Sequence, residues 1–245
     1  EGNETGIVAI STVSGGSATE DGTQSVTITI TENESSPTIT LAASASSIAE
    51  NAGSSLTLTA TSSIVTDEDI TVSISTSGTG AEGTDYSTIS DITISAGDTT
   101  GTVSFTPTDD SVYEGNETGI VAISGVSGAD AAEDGTQSVT ITITENDSAP
   151  TITLATSASS IAENAGSSLT LTATSSIVTD EDITVSISTS GTGAEGTDYS
   201  TISDITISAG DTTGTVSFTP TDDSVYEGNE TGIVAISGVS GADAA

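Results

Sequence analysis

Carboxylates dominate the chemistry this sequence can perform. The run Asp109-Asp110-Ser111-Val112-Tyr113-Glu114-Gly115-Asn116-Glu117 lies between two segments of alternating apolar residues. Glu145-Asn146-Asp147 closes a later alternating segment, and Glu50 follows an earlier one. In a β-sandwich the strand ends collect at the poles. Glu50, Asp109, Asp110, Glu114, Glu117, Glu145 and Asp147 are therefore expected together at one pole. Like charges a few ångströms apart repel by about 1 kcal/mol in bulk water and by several times that near protein. The chain holds 36 Asp and Glu and no Lys, Arg or His, so its formal net charge is −36 and nothing of its own offsets the cluster. Hard divalent cations with oxygen ligands are the natural neutralisers, and Ca²⁺ takes about 6–8 oxygens. Seven carboxylates suit more than one such ion. The plainer alternative is solvated turn carboxylates, since Asp and Asn also serve turns through local hydrogen bonds. Asp85 is read in that way, and Tyr86 and Tyr113 as packing residues.

The same composition excludes much else. Without Lys or Arg there is no phosphate-binding surface for nucleic acid, no P-loop and no Schiff-base lysine. Without His or Cys there is no Ser-His-Asp or Cys-His nucleophile and no zinc site of the Cys/His kind. Disulfides are ruled out. No apolar run approaches the roughly 20 residues that span a bilayer.

The elements that must position the carboxylates repeat. Glu1-Gly2-Asn3-Glu4-Thr5-Gly6-Ile7-Val8-Ala9-Ile10 recurs from Glu114 and again from Glu227, 113 residues apart each time. Laid over residues 114–245 without a gap, residues 1–132 match at 125 of 132 positions. That period is one small domain rather than a solenoid turn. Within it, Ile39/Leu41, Leu56/Leu58/Ala60, Ile70/Val72/Ile74, Ile92/Ile94, Val103/Phe105 and Val139/Ile141/Ile143 mostly alternate with Thr or Ser, and Ile120–Ile123 is mostly apolar. Period-2 alternation is the strand signal, and Thr, Val and Ile favour a pleated, half-buried surface. Seven such strands in one period, with no helical stripe, predict an all-β fold of tandem Ig-like antiparallel β-sandwiches. Residues 1–35 read as the C-terminal part of one repeat, 36–148 as a complete repeat, and 149–245 as a repeat lacking its last strand. The frame suggests a window on one longer, continuous array.

Each period resembles a Calx-β domain. The resemblance rests on Glu50-Asn51-Ala52-Gly53, Gly83-Thr84-Asp85-Tyr86, Ile94-Ser95-Ala96-Gly97-Asp98-Thr99, the Asp109-to-Glu117 run and Glu145-Asn146-Asp147, in that order. It implies a seven-stranded sandwich binding Ca²⁺ at one pole through Glu50, Asp109, Asp110, Glu114, Glu117, Glu145 and Asp147. The repeat carries the same roles to Glu163, Asp222, Asp223, Glu227 and Glu230, and to Glu1, Glu4, Glu32 and Glu34. Two departures reduce the ligand set: Ser77 stands where the family often has Asp, and Asn146 sits inside a triplet that is often all Asp.

These features together lead to the expectation of a non-enzymatic, calcium-stiffened stalk of an extracellular, cell-surface fibre or adhesin. Its partners are neighbouring repeats of the same chain or like chains, and lateral self-assembly is left open. A calcium-sensing regulatory segment is the alternative. A carbohydrate-active enzyme is the weaker one, because paired acid/base carboxylates need an apolar pocket and aromatics for sugar are almost absent.

Overall fold

The computed structural model describes residues 2–242, all of them in strands, turns and loops. β1 (Glu4–Ala9) and β2 (Ser25–Ile30) form an antiparallel hairpin, Glu4 facing Ile30 and Ala9 facing Ser25. Every residue of both strands is exposed.

The middle repeat follows the alternation of its sequence. Its elements are β3 (Thr38–Ala43), β4 (Ser47–Ala49), β5 (Leu56–Ser62), β6 (Ile70–Gly78), β7 (Ile92–Ile94), β8 (Thr100–Phe105), β9 (Val112–Tyr113), β10 (Glu117–Ser127), β11 (Ala132–Glu133) and β12 (Ser138–Thr144). One sheet runs β4-β12-β10-β6-β7 and the other β11-β3-β5-β8. Ile39, Leu41, Leu58, Ala60, Ile70, Val72, Ile92, Ile94, Val121, Ile141 and Ile143 are buried, while Thr38, Thr40, Thr57 and Thr61 on the opposite pleat face water. A one-residue slip of any of these strands would exchange the two sets, which is why the register is strongly specified. The seven strands expected from alternation are all present. β4, β9 and β11, of two or three residues, are additional: they are too short to show a period.

An aromatic pair closes one end of this core. Tyr86 and Phe105 are fully buried and stack with ring centroids 4.6 Å apart. Gly119 lies against them, and a Cβ there would meet the Phe105 ring at 2.7 Å. The glycine is therefore demanded by close approach of β10 to the ring.

The third repeat rebuilds the same scaffold with β13 (Ile152–Thr156), β14 (Leu169–Ser175), β15 (Val178–Thr179), β16 (Ile183–Gly191), β17 (Ile205–Ile207), β18 (Thr213–Phe218) and β19 (Gly232–Ser240). Its sheets run β13-β14-β18 and β17-β16-β19. Its core holds Leu171, Ala173, Ile183, Val185, Tyr199, Ile202, Ile205 and Ile207. In the middle repeat β12 lies beside β10, and Val121 and Ile123 are buried. Among the described residues β19 has no strand on that side, and its counterparts Val234 and Ile236 are only half-buried.

Packing separates two compact units. The first comprises residues up to Ile48, Ala52–Thr108 and Thr118–Thr142; the second comprises Ala49–Asn51, Asp109–Glu117 and the residues from Ile143 onward. The three acidic stretches of the middle repeat thus all fall in the second unit. No helix among the described residues is long and apolar enough to cross a membrane.

Candidate metal centre

The end of β4 and the end of β12 bring two acidic stretches side by side. Ala49 ends β4, and the Glu50 N–H that follows donates to the Thr144 carbonyl at 3.0 Å. Thr144 ends β12 and Glu145 comes next. The pairing of two strand ends therefore sets Glu50 opposite Glu145, although 95 positions separate them in sequence.

The Glu145 carboxylate organises the site. One oxygen, Oε2, accepts from the N–H groups of Glu114 (2.8 Å) and Gly115 (3.0 Å). The other, Oε1, accepts from Asn146 (2.8 Å) and Asp147 (2.7 Å). Its own N–H donates to Asn116 Oδ1 at 3.0 Å. The acidic loop is thereby tied to the closing segment through backbone donors. A second tie runs from the Asp110 N–H to Glu50 Oε1 at 3.2 Å, and Asp110 Oδ1 accepts from the Val112 N–H at 2.7 Å.

Glu50, Glu145 and Asp147 each present a carboxylate oxygen within 4.8 Å of the others. Glu50 is only 6% exposed. Asp147 Oδ2 is buried and has no hydrogen-bond partner, and a buried acceptor left unsatisfied costs about 1–3 kcal/mol. An oxygen-only donor set with an orphaned carboxylate oxygen and no protein cation fits a hard divalent ion.

The electrostatics express the same crowding. Burial, with the charges of Glu145 and Asp110 adding to it, pushes the Glu50 carboxyl up from 4.5 to about 7, against the lowering effect of the Asp110 N–H. Asp147 is raised by burial and by the charges of Glu145, Asp109 and Asp110. Glu145 is the exception: burial opposes its ionisation, yet the N–H groups of Glu114, Asp147 and Asn146 hold it below its ordinary value.

A pH dependence follows for the metal-free protein. Between about pH 4.5 and pH 7 folded Glu50 keeps a proton that the unfolded chain has lost. Where the native state binds more protons, stability falls as pH rises. Denaturant midpoints in chelator should therefore decline from pH 5 to pH 8, by on the order of 2 kcal/mol in unfolding free energy. Glu145 acts with opposite sign and at lower pH, its contribution being lost below its ordinary value. A midpoint that rises across this window would contradict the placement of Glu50.

The seven carboxylates expected at the pole divide in the structure. Glu50, Glu145 and Asp147 make the triad. Asp109 and Asp110 act on it through their charges, and Asp110 also through its N–H. Glu114 contributes its backbone N–H. Glu117 opens β10 in a half-buried position, and its third-repeat counterpart Glu230 gathers with Glu227, the counterpart of Glu114, and with Asp198 within 4.8 Å. Burial and the charges of Asp198 and Glu163 raise both glutamates, with Asp223 adding to Glu227. Glu163 Oε1 accepts from the Asp223 N–H at 3.1 Å, repeating the tie of Glu50 to Asp110. Asp222 is exposed and joins no such group among the described residues.

In the hairpin, Glu32 repeats the local pattern of Glu145. Its Oε1 accepts from Asn33 (2.8 Å) and Glu34 (3.0 Å), and its N–H donates to Asn3 Oδ1 (2.7 Å). The hydrogen bond with Glu34 lowers Glu32 to about 2 and raises Glu34. Glu4 opens β1 in an exposed position. Glu1 lies outside the described residues.

Asp198 is the residue that reading the sequence did not place in the site. It does hold a turn, its Oδ2 accepting from the Ala194 N–H at 2.5 Å. The same carboxylate also joins Glu227 and Glu230. The only signal in sequence is its place between Gly-Thr and Tyr, the motif shared with Asp85.

A family model described as "Calx-beta domain" matches residues 32–147 and 145–244. Among solved structures, CBD12 from CALX1.2 is 18% identical with a TM-score of 0.37, over 73% of this chain and 73% of that one. The apo-form Calx CBD1 domain is 18% identical with a TM-score of 0.38, over 45% of this chain and 99% of that one. The calcium binding domain CBD12 of CALX1.1 is 16% identical with a TM-score of 0.37, over 72% of this chain and 73% of that one. No curated protein matches the chain.

Proposed function

The chain belongs to the Calx-beta family, and from that premise we propose that it is a non-enzymatic calcium-binding repeat segment, with the ion serving to stiffen a stalk in an extracellular fibre or adhesin. Calx-beta domains bind Ca²⁺. Here Glu50, Glu145 and Asp147 would hold the ion, with Asp109 and Asp110 adding negative charge around it. The ion supplies the positive charge that this chain lacks. The observation that carries the calcium reading is the orphaned, buried Asp147 oxygen within a triad of carboxylates.

The stalk reading is supported by the near-identity of the copies, 125 of 132 positions over one period. A segment whose task is to extend gains from repetition, whereas a regulator gains from copies tuned differently. The absence of Lys and Arg also removes trypsin-type cleavage sites, which suits an exposed, extracellular location. A calcium-sensing role is the second reading, and membership of the family favours it.

Small-angle scattering through a calcium titration separates the two readings. A stalk should pass from a flexible to an extended, rigid form, half-complete at the high calcium levels of extracellular fluids, and then stay unchanged. A sensor should respond in the micromolar range. Scattering curves identical with calcium and with chelator would remove the stiffening role.

A further inference from the structure

One sheet face is free of charge in a chain of 36 carboxylates and no basic residue. β3, β5 and β8 turn Leu41, Leu58 and Phe105 inward, so the alternate residues of these strands form the opposite face. Strand pairing sets them in rows: Thr40 beside Thr61 beside Thr100, then Ala42 beside Thr59 beside Thr102. All six are exposed except the half-buried Thr59. The three strands contain no Asp or Glu. At the sheet edge, β11 holds Glu133, whose Oε1 is turned back to accept from the Gln137 N–H. The third repeat builds the same face on β13, β14 and β18, starting with Thr153 beside Thr174 beside Thr213.

Hydroxyls elsewhere in the middle repeat are used within the protein. Thr79 pairs with Thr118 at 3.2 Å, and Ser55 with Thr106 at 2.7 Å. Those of Thr40, Thr59, Thr61, Thr100 and Thr102 bond to no other protein group among the described residues. The outer face of the other sheet is different again: Ser73 Oγ donates to Asp91 at 3.1 Å, so a carboxylate sits there. A carboxylate organises water around its charge. A hydroxyl donates one hydrogen bond and accepts others, and β-branching holds each threonine stiff at χ1. Neighbouring strands lie about 4.7–4.9 Å apart, and alternate residues about 6.4–6.8 Å apart along a strand. Both spacings are close to repeats of the oxygen lattice of ice.

We propose that this threonine face binds ice: its rows of free hydroxyls, with their methyl groups between them, dock on the ordered water of a crystal surface. The lack of charge calls for a neutral partner. A second copy of the chain brings the same charge of −36 and is repelled. A sugar chain calls for aromatic platforms, and the nearest rings, Tyr86 and Phe105, are buried in the core. A twist of roughly 20–25° between neighbouring strands limits flat contact to a small patch. Each hydrogen bond contributes only about 0.5–1.5 kcal/mol. Useful affinity therefore comes from repetition of the patch in successive repeats, through effective concentration. The proposal is independent of the calcium reading, since β3, β5 and β8 hold none of the carboxylates of the metal centre.

The test grows ice slowly in a solution of the full chain with calcium present. It reads the fraction of protein taken into the ice, against an inert globular protein frozen alongside. The parent chain should be enriched over the inert protein. Thr61→Tyr with Thr174→Tyr places a bulky group at the middle of a row on both faces while keeping a strand-favouring residue. The ice-bound fraction should fall roughly tenfold, because many-point contact is lost when its geometry is forbidden. Ser75→Tyr with Ser188→Tyr, at exposed positions of β6 and β16 in the other sheet, should behave as the parent. Circular dichroism shows whether each variant is folded. Should the first pair unfold the chain, Thr100→Tyr with Thr213→Tyr takes its place, in the same rows on the edge strands β8 and β18. A parent chain excluded from ice like the inert protein, or equal losses from the two sheets, would overturn the proposal. So would a parent chain that stays out of ice but self-associates, or binds crystalline cellulose, in a way that Thr61→Tyr with Thr174→Tyr abolishes; the face would then belong to a second copy or to a polysaccharide.

Discussion

Saturating Ca²⁺ should raise the melting temperature of this protein by roughly 5–10 °C over its value in chelator. A ligand present at a hundred times its dissociation constant stabilises by about 2.7 kcal/mol per site. In a protein of this size each kcal/mol moves the midpoint by about 2–4 °C. The physical source is the pole of the middle repeat, where Glu50, Glu145 and Asp147 lie within 4.8 Å and one oxygen of Asp147 is buried without a partner. Removing the ion returns that repulsion and that unsatisfied acceptor to the fold. The gap should narrow at low pH, because protons compete with the metal for the same carboxylates. Differential scanning calorimetry at pH 7.5 and pH 5, each with calcium and with chelator, measures it. Coincident midpoints at pH 7.5 would rule out the metal centre.

Two substitutions at the triad should move the metal-free protein in opposite directions while both weaken calcium binding. Glu145→Ala removes the acceptor for the N–H groups of Glu114, Gly115, Asn146 and Asp147. Hydrogen bonds to a charged group contribute about 1.5–3 kcal/mol each. Because Glu145 is only half-buried and water can replace some partners, the expected loss is on the order of 3 kcal/mol in total. Glu50→Gln acts otherwise. It keeps an oxygen for the Asp110 N–H and deletes a buried charge whose carboxyl already titrates near 7. The metal-free variant should be more stable than the parent at pH 8, by on the order of 1–2 kcal/mol, and indistinguishable from it at pH 4. Calcium affinity should fall at least tenfold in both, since each removes one carboxylate proposed to hold a hard cation. Urea unfolding in chelator and calorimetric titration read the two quantities. A destabilised Glu50→Gln at pH 8 would mean that its charge is favourable where it sits.

The strands of the middle repeat were legible because alternation records burial directly. Ile39 and Leu41, or Ile70 and Val72, point inward because every second side chain of a strand does. β9 was not legible: Val112 and Tyr113 look like any two loop residues, and what makes them a strand is Val178–Thr179, 66 positions away. Glu50 shows the same limit. Its identity as an acidic residue after a strand could be read, but its raised carboxyl comes first from burial in the folded chain, with the charges of Glu145 and Asp110 adding to it.

By itself the sequence determined the all-β class, the 113-residue period, the inward and outward faces, and the lack of any cation to offset 36 carboxylates. Those are properties of composition and spacing, which local sterics and the hydrophobic effect convert into structure without reference to distant residues. Only the tertiary structure decided which carboxylates share a site: Glu50, Glu145 and Asp147 as one triad, and Glu227 and Glu230 with Asp198 as another grouping. Side-chain proximity at a sandwich pole depends on where separate strands end and on which backbone N–H groups each carboxylate captures. Glu145 takes four such donors, and that choice separates it electrostatically from Glu50, an identical residue type a few ångströms away.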